Sequence, residues 1–315
     1  MRGALGRYGT VLALAVLVLV LSLAADNFLS VGNLANVLKN ASFMAILALG
    51  FNLALITSEL DLSFANVASL CSIIAAVLLY GGYAVPVGIA ACLALGAACG
   101  LANGLLVTRF RIPSLIATLA TGTMANGFAF MLTGGVDYVG RLPAPFLFLG
   151  RGTILGVPVL IVWTASAVLV AQFVVKETRL GAHMVATGEA EEAARLAGIP
   201  VKRMKTLGLT LSGFLAGLGG LLLTAHLSSS NATIAGGFLM SGIAAVLLGM
   251  TTIEVGKPNV AGTVVGTLII GVLGNGLTLM GAQYYYQDII LGLIILGSVG
   301  VSASQMMRAA FGVSH

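Results

Sequence analysis

The chain has 315 residues, of which 59% are hydrophobic and only 8% are charged, and its formal net charge is +5. Soluble domains contain about 25% charged residues, so this composition excludes an ordinary water-soluble domain and indicates a protein whose main solvent is lipid. The basic residues are scattered between apolar runs, which argues against nucleic-acid binding. No linker-like stretch interrupts these runs, so we expect a single membrane domain over residues 1–315.

The apolar runs are the predicted elements in chain order. A transmembrane helix needs about 20 predominantly apolar residues. Runs of about that length cover residues 9–25, 34–57, 64–80, 84–107, 113–133, 154–175, 206–227, 237–253, 259–280 and 287–305. We therefore predict an all-α integral membrane protein with about ten transmembrane helices.

Basic residues orient these spans, because cytoplasmic loops carry an excess of Lys and Arg. If the N-terminus is cytoplasmic, only three of the 15 basic residues face outward, namely Lys39, Arg141 and Arg151. All the others then lie on the inner side. The sequence therefore predicts that both termini and residues 178–205 are cytoplasmic.

The sequence also contains a weak internal repeat. Asn-Gly-Leu at residues 103–105, in the fourth span, recurs at residues 275–277, in the ninth. The same shift moves spans 2, 3 and 5 onto spans 7, 8 and 10. Because five spans separate the copies, the second copy is inverted in the membrane. Transporters commonly have this layout, with the pathway near the repeat interface.

Residues 178–205 form a charged, helix-forming segment in this apolar chain. Ala190, Ala193, Ala194 and Ala197 recur at the spacing of one helix face. Three glutamates lie in the first turn, where the helix dipole favours negative charge, and a Gly-x-Pro stop follows. We predict a helix of roughly nine residues, too short to be stable alone, whose small side chains let a partner approach closely. The assigned residues are Gly188, Glu189, Ala190, Glu191, Glu192, Ala193, Ala194, Arg195 and Gly198.

Polar residues at membrane depth are the candidates for a translocation pathway. Acids in such positions are costly and by default functional. Glu59 and Asp61 are also compatible with a turn at the inner interface, in which Asp61 or Ser63 caps the third span. Each asparagine could hydrogen-bond between helices or contact a solute. The candidates are Asn52, Glu59, Asp61, Ser63, Asn66, Asn103, Asn126 and Asn275.

The sequence carries no phosphate-binding loop, no catalytic constellation and no metal-ligand spacing. We therefore expect no enzyme activity and no cofactor or metal on this chain, so that active transport would draw its energy from a partner or a coupled ion. Several glycines suit close helix packing. They are Gly96, Gly100, Gly213, Gly217, Gly219 and Gly220.

Four segments resemble the ribose-type (monosaccharide) membrane permeases of ABC importers, which have the type II importer fold. Residues 55–63 (LITSELDLS) are similar to the family's T-x-G-I-D-L-S-V-G, and residues 111–119 (RIPSLIATL) to its P-x-x-I-A-T-L. Residues 178–199 match its cytoplasmic T-x-x-G … A-x-G-x-N-x-x-A-A-x-x-x-G-I motif, which is the most specific of the four. Residues 243–249 (IAAVLLG) with the later glycine pairs complete the match.

This resemblance implies that residues 188–198 form a coupling helix in a groove of a separate ATPase subunit, which binds ATP-Mg. It also implies a second permease chain, identical or paralogous, a periplasmic solute-binding protein and the bacterial inner membrane. The expected cargo is a sugar. However, Glu59-Leu60 replaces the family's Gly-Ile, so a furanose signal molecule or a nucleoside stays open. The runner-up class is an ion-coupled secondary transporter without an ATPase.

Overall fold

The computed structural model describes residues 2–254 and 256–311, so Met1, Val255 and residues 312–315 of the predicted domain lie outside the described residues. Thirteen α-helices account for most of the described chain. They are α1 (Arg2–Ala24), α2 (Val31–Ile56), α3 (Phe64–Tyr80), α4 (Val85–Thr108), α5 (Ser114–Thr133), α6 (Ala144–Arg151), α7 (Val159–Glu177), α8 (Arg179–Glu189), α9 (Glu191–Leu196), α10 (Val201–Leu227), α11 (Phe238–Gly249), α12 (Val260–Leu279) and α13 (Tyr284–Phe311).

Each of the ten predicted spans corresponds to one helix: α1 to α5, α7 and α10 to α13. Among the described residues, six helices are long and apolar enough to cross a membrane, namely α2, α4, α5, α7, α10 and α12. The apolar parts of α1, α3, α11 and α13 are shorter. The additional helices α6, α8 and α9 lie in the segments predicted to connect spans.

Helix α11 is shorter than the span predicted over residues 237–253. It has 12 residues, which at about 1.5 Å per residue is well short of a hydrocarbon core of about 30 Å. The helix ends at Gly249, which packs directly against the backbone of Gly262 in α12. The chain then turns, with left-handed backbone at Ile253 (φ 61°) and Gly256 (φ 83°). Hydropathy therefore predicted the helix but placed its end four residues too late.

The described chain forms two compact units. One contains the chain up to Ala48 together with the chain from Met240 onward, and the other is Leu49–Leu239. In the first unit, α1, the N-terminal part of α2 and α12 share a buried apolar cluster that includes Leu21, Phe28 and Val272.

The second unit is centred on the packing of α4 against α10. Glycines let the two backbones approach closely, as predicted: a Cβ on Gly96 would come within 3.0 Å of Gly217 Cα, and a Cβ on Gly213 within 2.9 Å of Gly100 Cα. Real Cβ contacts are essentially never shorter than 3.0 Å. The α4–α10 contact therefore depends on glycine on both sides.

Short extended segments and side-chain bonds close one end of the second unit. Strand β1 (Tyr138–Val139) pairs antiparallel with β4 (Ser229–Ser230), and β2 (Thr153–Ile154) pairs with β3 (Val157–Pro158). The Tyr80 hydroxyl at the end of α3 donates to the carbonyl of Gly140 at 2.7 Å. These bonds fix the segments that join α5, α6 and α7.

Candidate functional site

The 178–205 segment contains two short helices and the start of α10. Thr178 caps α8, because its hydroxyl accepts a hydrogen bond from the Gly181 amide at 3.2 Å. Ala190 separates α8 from α9 with a non-helical backbone (φ −153°, ψ 80°). At the other end, Gly198 is left-handed (φ 80°) and the Ile199 amide donates to the Ala194 carbonyl at 3.0 Å. This is a Schellman ending, and it lies where the Gly-x-Pro sequence predicted that the helix stops.

The helix of roughly nine residues predicted here is wrong in length, since α9 has six residues. Gly188, two residues before Ala190, has a low helix propensity, and its backbone packs closely against the end of α2. A Cβ on Gly188 would overlap the Ile56 carbonyl and lie 3.2 Å from the Ser58 amide nitrogen. A low local propensity and a close backbone contact therefore coincide at this point.

The alanine stripe does not form one free face. Ala194 is 4% exposed and packs inside the chain, whereas Ala190, Ala193 and Ala197 are exposed. Leu196 lies beside them with 84% of its surface exposed. The surface of α9 that faces away from the chain therefore carries small alanine side chains and one large apolar side chain, Leu196.

Ion pairs attach α9 to the rest of the second unit. Lys205 Nζ lies 2.8 Å from Glu191 Oε2 and 2.8 Å from Glu59 Oε1. On the helix surface, Arg195 contacts Glu191 at 3.0 Å and Glu192 at 3.4 Å. The hydrogen bond from Lys205, more than the charge of Arg195, holds the pKa of Glu191 below its ordinary value.

The loop between α2 and α3, Thr57–Ser63, meets the same segment through a second contact. The Ser58 hydroxyl donates to the Gly188 carbonyl at 2.8 Å. Ser58 has left-handed backbone (φ 59°). The loop is thus bonded to the residue Gly188 before α9, and it is linked through Lys205 to Glu191 in α9.

Buried polar residues continue from this loop into the helices. Asp61 is fully buried, and its Oδ1 accepts from the Ser63 amide at 2.9 Å and the Ser63 hydroxyl at 2.5 Å. The Asn103 amide donates to the Ser63 hydroxyl at 2.9 Å, and Thr121 donates to Asn103 at 2.6 Å. Ser63 begins α3 without capping it through its side chain. Asp61, Ser63, Asn103 and Thr121 therefore form one network across α3, α4 and α5.

The other asparagine candidates lie apart from this network. Asn275 pairs reciprocally with Asn33 through two amide hydrogen bonds of 2.9 Å, which join α12 to α2. Asn66 lies beside Gly122 of α5, and Asn126 is half-buried in α5. Asn52 is fully buried in α2, and neither of its side-chain polar atoms has a hydrogen-bond partner among the described residues.

Sequence reasoning missed two groups of residues. Lys205 was counted only for its charge, because its acidic partners are distant in the chain. Three hydroxyls on α5 hold the polar loop and network: Ser114 accepts from the Leu60 amide at 3.2 Å, Thr118 from the Leu62 amide at 3.1 Å, and Thr121 contacts Asn103. Their i, i+4, i+7 spacing in an apolar helix was a usable signal.

The comparison with protein families decides the class. A family profile described as "Branched-chain amino acid transport system / permease component" matches residues 33–299. The chain belongs to this family. It is therefore a permease component, a transport subunit and not an enzyme, as the sequence predicted.

Named relatives confirm the resemblance to ribose-type permeases. The ribose import permease protein of Escherichia coli K12 is 38% identical over 92% of this chain and 91% of its own length. The L-arabinose ABC transporter permease protein of Azospirillum brasilense is 32% identical over 94% of this chain and 87% of its own length. The chain is accordingly a multi-pass membrane permease of an ABC importer, and the ion-coupled alternative loses its support.

A solved structure shares the fold. Its description is "An inward-facing conformation of a putative metal-chelate type ABC transporter", and it matches with a TM-score of 0.52, 16% sequence identity, and coverage of 94% of this chain and 97% of that chain. At this identity the likeness shows the fold alone. It confirms the predicted all-helical ABC transporter architecture.

Proposed function

We propose that this permease imports a sugar or sugar-like solute, driven by a separate ATPase that docks on α9. The observation that carries the proposal is the form of α9: one side is held by Lys205 and by buried Ala194, and the other exposes Ala193 and Leu196. Leu196 is 84% exposed, and it lies beside exposed alanines in the segment that resembles the family's ATPase-coupling motif. The small neighbours allow a partner's backbone to approach.

The proposed ATPase contact is tested by co-purification. Ala193→Arg places a long charged side chain on the exposed face, so we expect the ATPase to be lost while the permease stays folded. Ala193→Ser keeps the small volume and is the matched control. Ala194→Arg is unsuitable, because Ala194 is buried and its replacement would disturb the chain itself. An Ala193→Arg permease that retains its ATPase contradicts the proposed contact.

We further propose ten transmembrane segments in a type II arrangement with inverted repeats, spans 2–5 and 7–10. Equivalent helix contacts support this. In the second unit, Gly213 of α10 faces Gly100 of α4; in the first, Ala41 of α2 faces Gly271 of α12 at 3.3 Å between Cβ positions. The repeat offset is the shift that carries Asn103 onto Asn275. It carries Ala41 onto Gly213, and it carries Gly100 to the residue next to Gly271.

The proposed orientation places both termini and the 178–205 segment in the cytoplasm of a bacterium's inner membrane. Single cysteines at Ala193 and at the fully exposed Leu155 test it, in a background without the three native cysteines. An impermeant thiol reagent added to intact cells should label position 155 only. Labelling of position 193 would overturn both the orientation and the docking role of α9.

The cargo and partners are proposed from the relatives. Two of the relatives are named for pentose sugars, ribose and arabinose, and a permease 30% identical to this chain is named for autoinducer 2 import. A sugar is therefore the first candidate, and autoinducer 2 is the second. The partners would be an ABC ATPase that binds ATP-Mg, a periplasmic solute-binding protein and a second permease chain. Thermal-shift screening of the cognate binding protein against ribose, arabinose, autoinducer 2 and leucine tests the cargo; stabilisation by leucine alone would reject the sugar proposal.

A further inference from the structure

We propose that Lys205 is a positioning residue that transmits movement of the coupling helix α9 to the Thr57–Ser63 loop and the polar network beyond it. This inference rests on the proposed ATPase contact of α9. Lys205 occupies the first turns of α10 and bridges two acids that are far apart in the chain. Its two ion pairs, both 2.8 Å, end on Glu191 in α9 and on Glu59 in the loop.

The burial of the three side chains gives the bridge a direction. Glu191 is 43% exposed, Lys205 is 17% exposed and Glu59 is 7% exposed. Exposed ion pairs contribute little, because water and salt screen them. The inner pair, Lys205–Glu59, is shielded from water, and a nearly buried carboxylate that loses its cation destabilises the protein. Glu59 therefore depends on Lys205 more strongly than Glu191 does. When Lys205 moves, we expect the Thr57–Ser63 loop, which carries Glu59, to move with it.

A second contact makes the connection stiff. The Ser58 hydroxyl bonds to the Gly188 carbonyl at 2.8 Å, immediately before the chain enters α9. The Gly188 backbone also lies against Ile56 and Ser58 so closely that no side chain fits between them. The loop thus contacts Gly188 directly and is linked to Glu191 through Lys205, so a displacement of α9 acts on the loop through both connections.

Beyond the loop, hydrogen bonds lead into the helices. The Leu60 and Leu62 amides donate to Ser114 and Thr118 of α5, at 3.2 and 3.1 Å. Asp61 then joins the buried network through Ser63, which continues to Asn103 in α4. A path of direct contacts therefore runs from α9 through Lys205 and Glu59 to three helices of the second unit. Breaking a contact on this path should therefore change how ATP hydrolysis is coupled to transport.

The experiment compares three lysine variants in proteoliposomes that contain the permease, its ATPase and the loaded binding protein. Lys205→Met removes both ion pairs, Lys205→Arg keeps the charge and donors, and Lys202→Met removes an exposed lysine one turn earlier on the same helix. The readout is solute transported per ATP hydrolysed, measured beside co-purification of the ATPase. We expect Lys205→Met to lower this ratio several-fold while the ATPase still co-purifies, and Lys205→Arg and Lys202→Met to stay near wild type.

A second variant keeps the test decisive if Lys205→Met fails to fold. Glu191→Gln removes only the outer ion pair, Lys205–Glu191. Glu59 stays paired with Lys205, so the buried carboxylate keeps its cation. It should also lower the transport-to-hydrolysis ratio, though less than Lys205→Met. A wild-type ratio in Glu191→Gln, or in a folded Lys205→Met, overturns the inference. Failure of the wild-type permease to co-purify with an ATPase would instead reject the proposed function.

Discussion

The glycine contact between α4 and α10 can be tested by adding a single methyl group. In Gly100→Ala, the new Cβ would overlap the Leu209 carbonyl oxygen and lie 2.9 Å from Thr210 Cα and 3.1 Å from the Gly213 amide nitrogen. Ordinary van der Waals contact begins near 3.4 Å. The two helices must therefore move apart by about half an ångström or more at their closest point, because packed interiors offer little free space.

Two effects of opposite sign set the magnitude of this change. Overpacking of a close contact costs about 1–3 kcal/mol. Replacing glycine by alanine inside a helix returns about 0.5–1 kcal/mol. The overlap is with backbone atoms, which cannot rotate away, so we take the upper part of the range and expect a net loss of about 1–2 kcal/mol.

Gly127→Ala is the matched control. Gly127 also lies inside a membrane helix, α5, but a Cβ there would meet nothing within 4 Å. It should therefore stabilise the protein by about 0.5–1 kcal/mol. Thermal unfolding in detergent should show Gly100→Ala melting several degrees below wild type and Gly127→Ala at or above it. If the two variants melt together, the α4–α10 packing described above is incorrect.

Two further predictions concern the polar loop and its ion pair. Asp61→Asn keeps the oxygen that accepts both Ser63 hydrogen bonds, whereas Asp61→Ala leaves these buried donors unpaired. In denaturation the alanine variant should be about 1–3 kcal/mol less stable than the asparagine variant. Equal stability of the two variants would refute this. Because Lys205 lowers the pKa of Glu191, the bond's contribution is present above the ordinary glutamate pKa of about 4.3 and is lost as pH falls through the lower folded value. The protection of the α9 amides, expressed relative to their intrinsic exchange rates at each pH, should thus stay constant from neutral pH down to about 4.3; a loss of protection already near neutrality would refute the ion pair.

The helices were largely predictable because lipid imposes a strong and local rule. A run of apolar residues long enough to span must be helical, and each predicted run corresponds to a helix. The glycine spacing on α4 and α10 also predicted close packing correctly. Two bounds were wrong: α11 ends four residues early, where Gly249 contacts Gly262, and α7 begins at Val159, after the β2–β3 hairpin, and not at residue 154. Hydropathy contains no information on such a contact.

The site was less predictable, because its geometry depends on residues distant in sequence. The break at Ala190 follows Gly188, whose low helix propensity alone does not place a break, and it coincides with the packing of Gly188 against Ile56. The burial of Ala194, which divides the alanine stripe, follows from the same packing of the segment onto the second unit. Lys205 could be identified only once Glu59 and Glu191 were seen on either side of it. The roles assigned to the coupling and pathway residues stay predictions.

The most direct test of an ATP-driven permease is solute uptake into proteoliposomes in the presence of a protonophore. The assembled complex should accumulate its solute when ATP is supplied, and uptake should be unchanged when the proton gradient is collapsed, because hydrolysis on the partner subunit supplies the energy. Without ATP, an imposed proton gradient should drive no uptake. Uptake that stops on collapse of the gradient despite ATP would contradict the account and would identify buried acids such as Asp61 as ion-coupling groups.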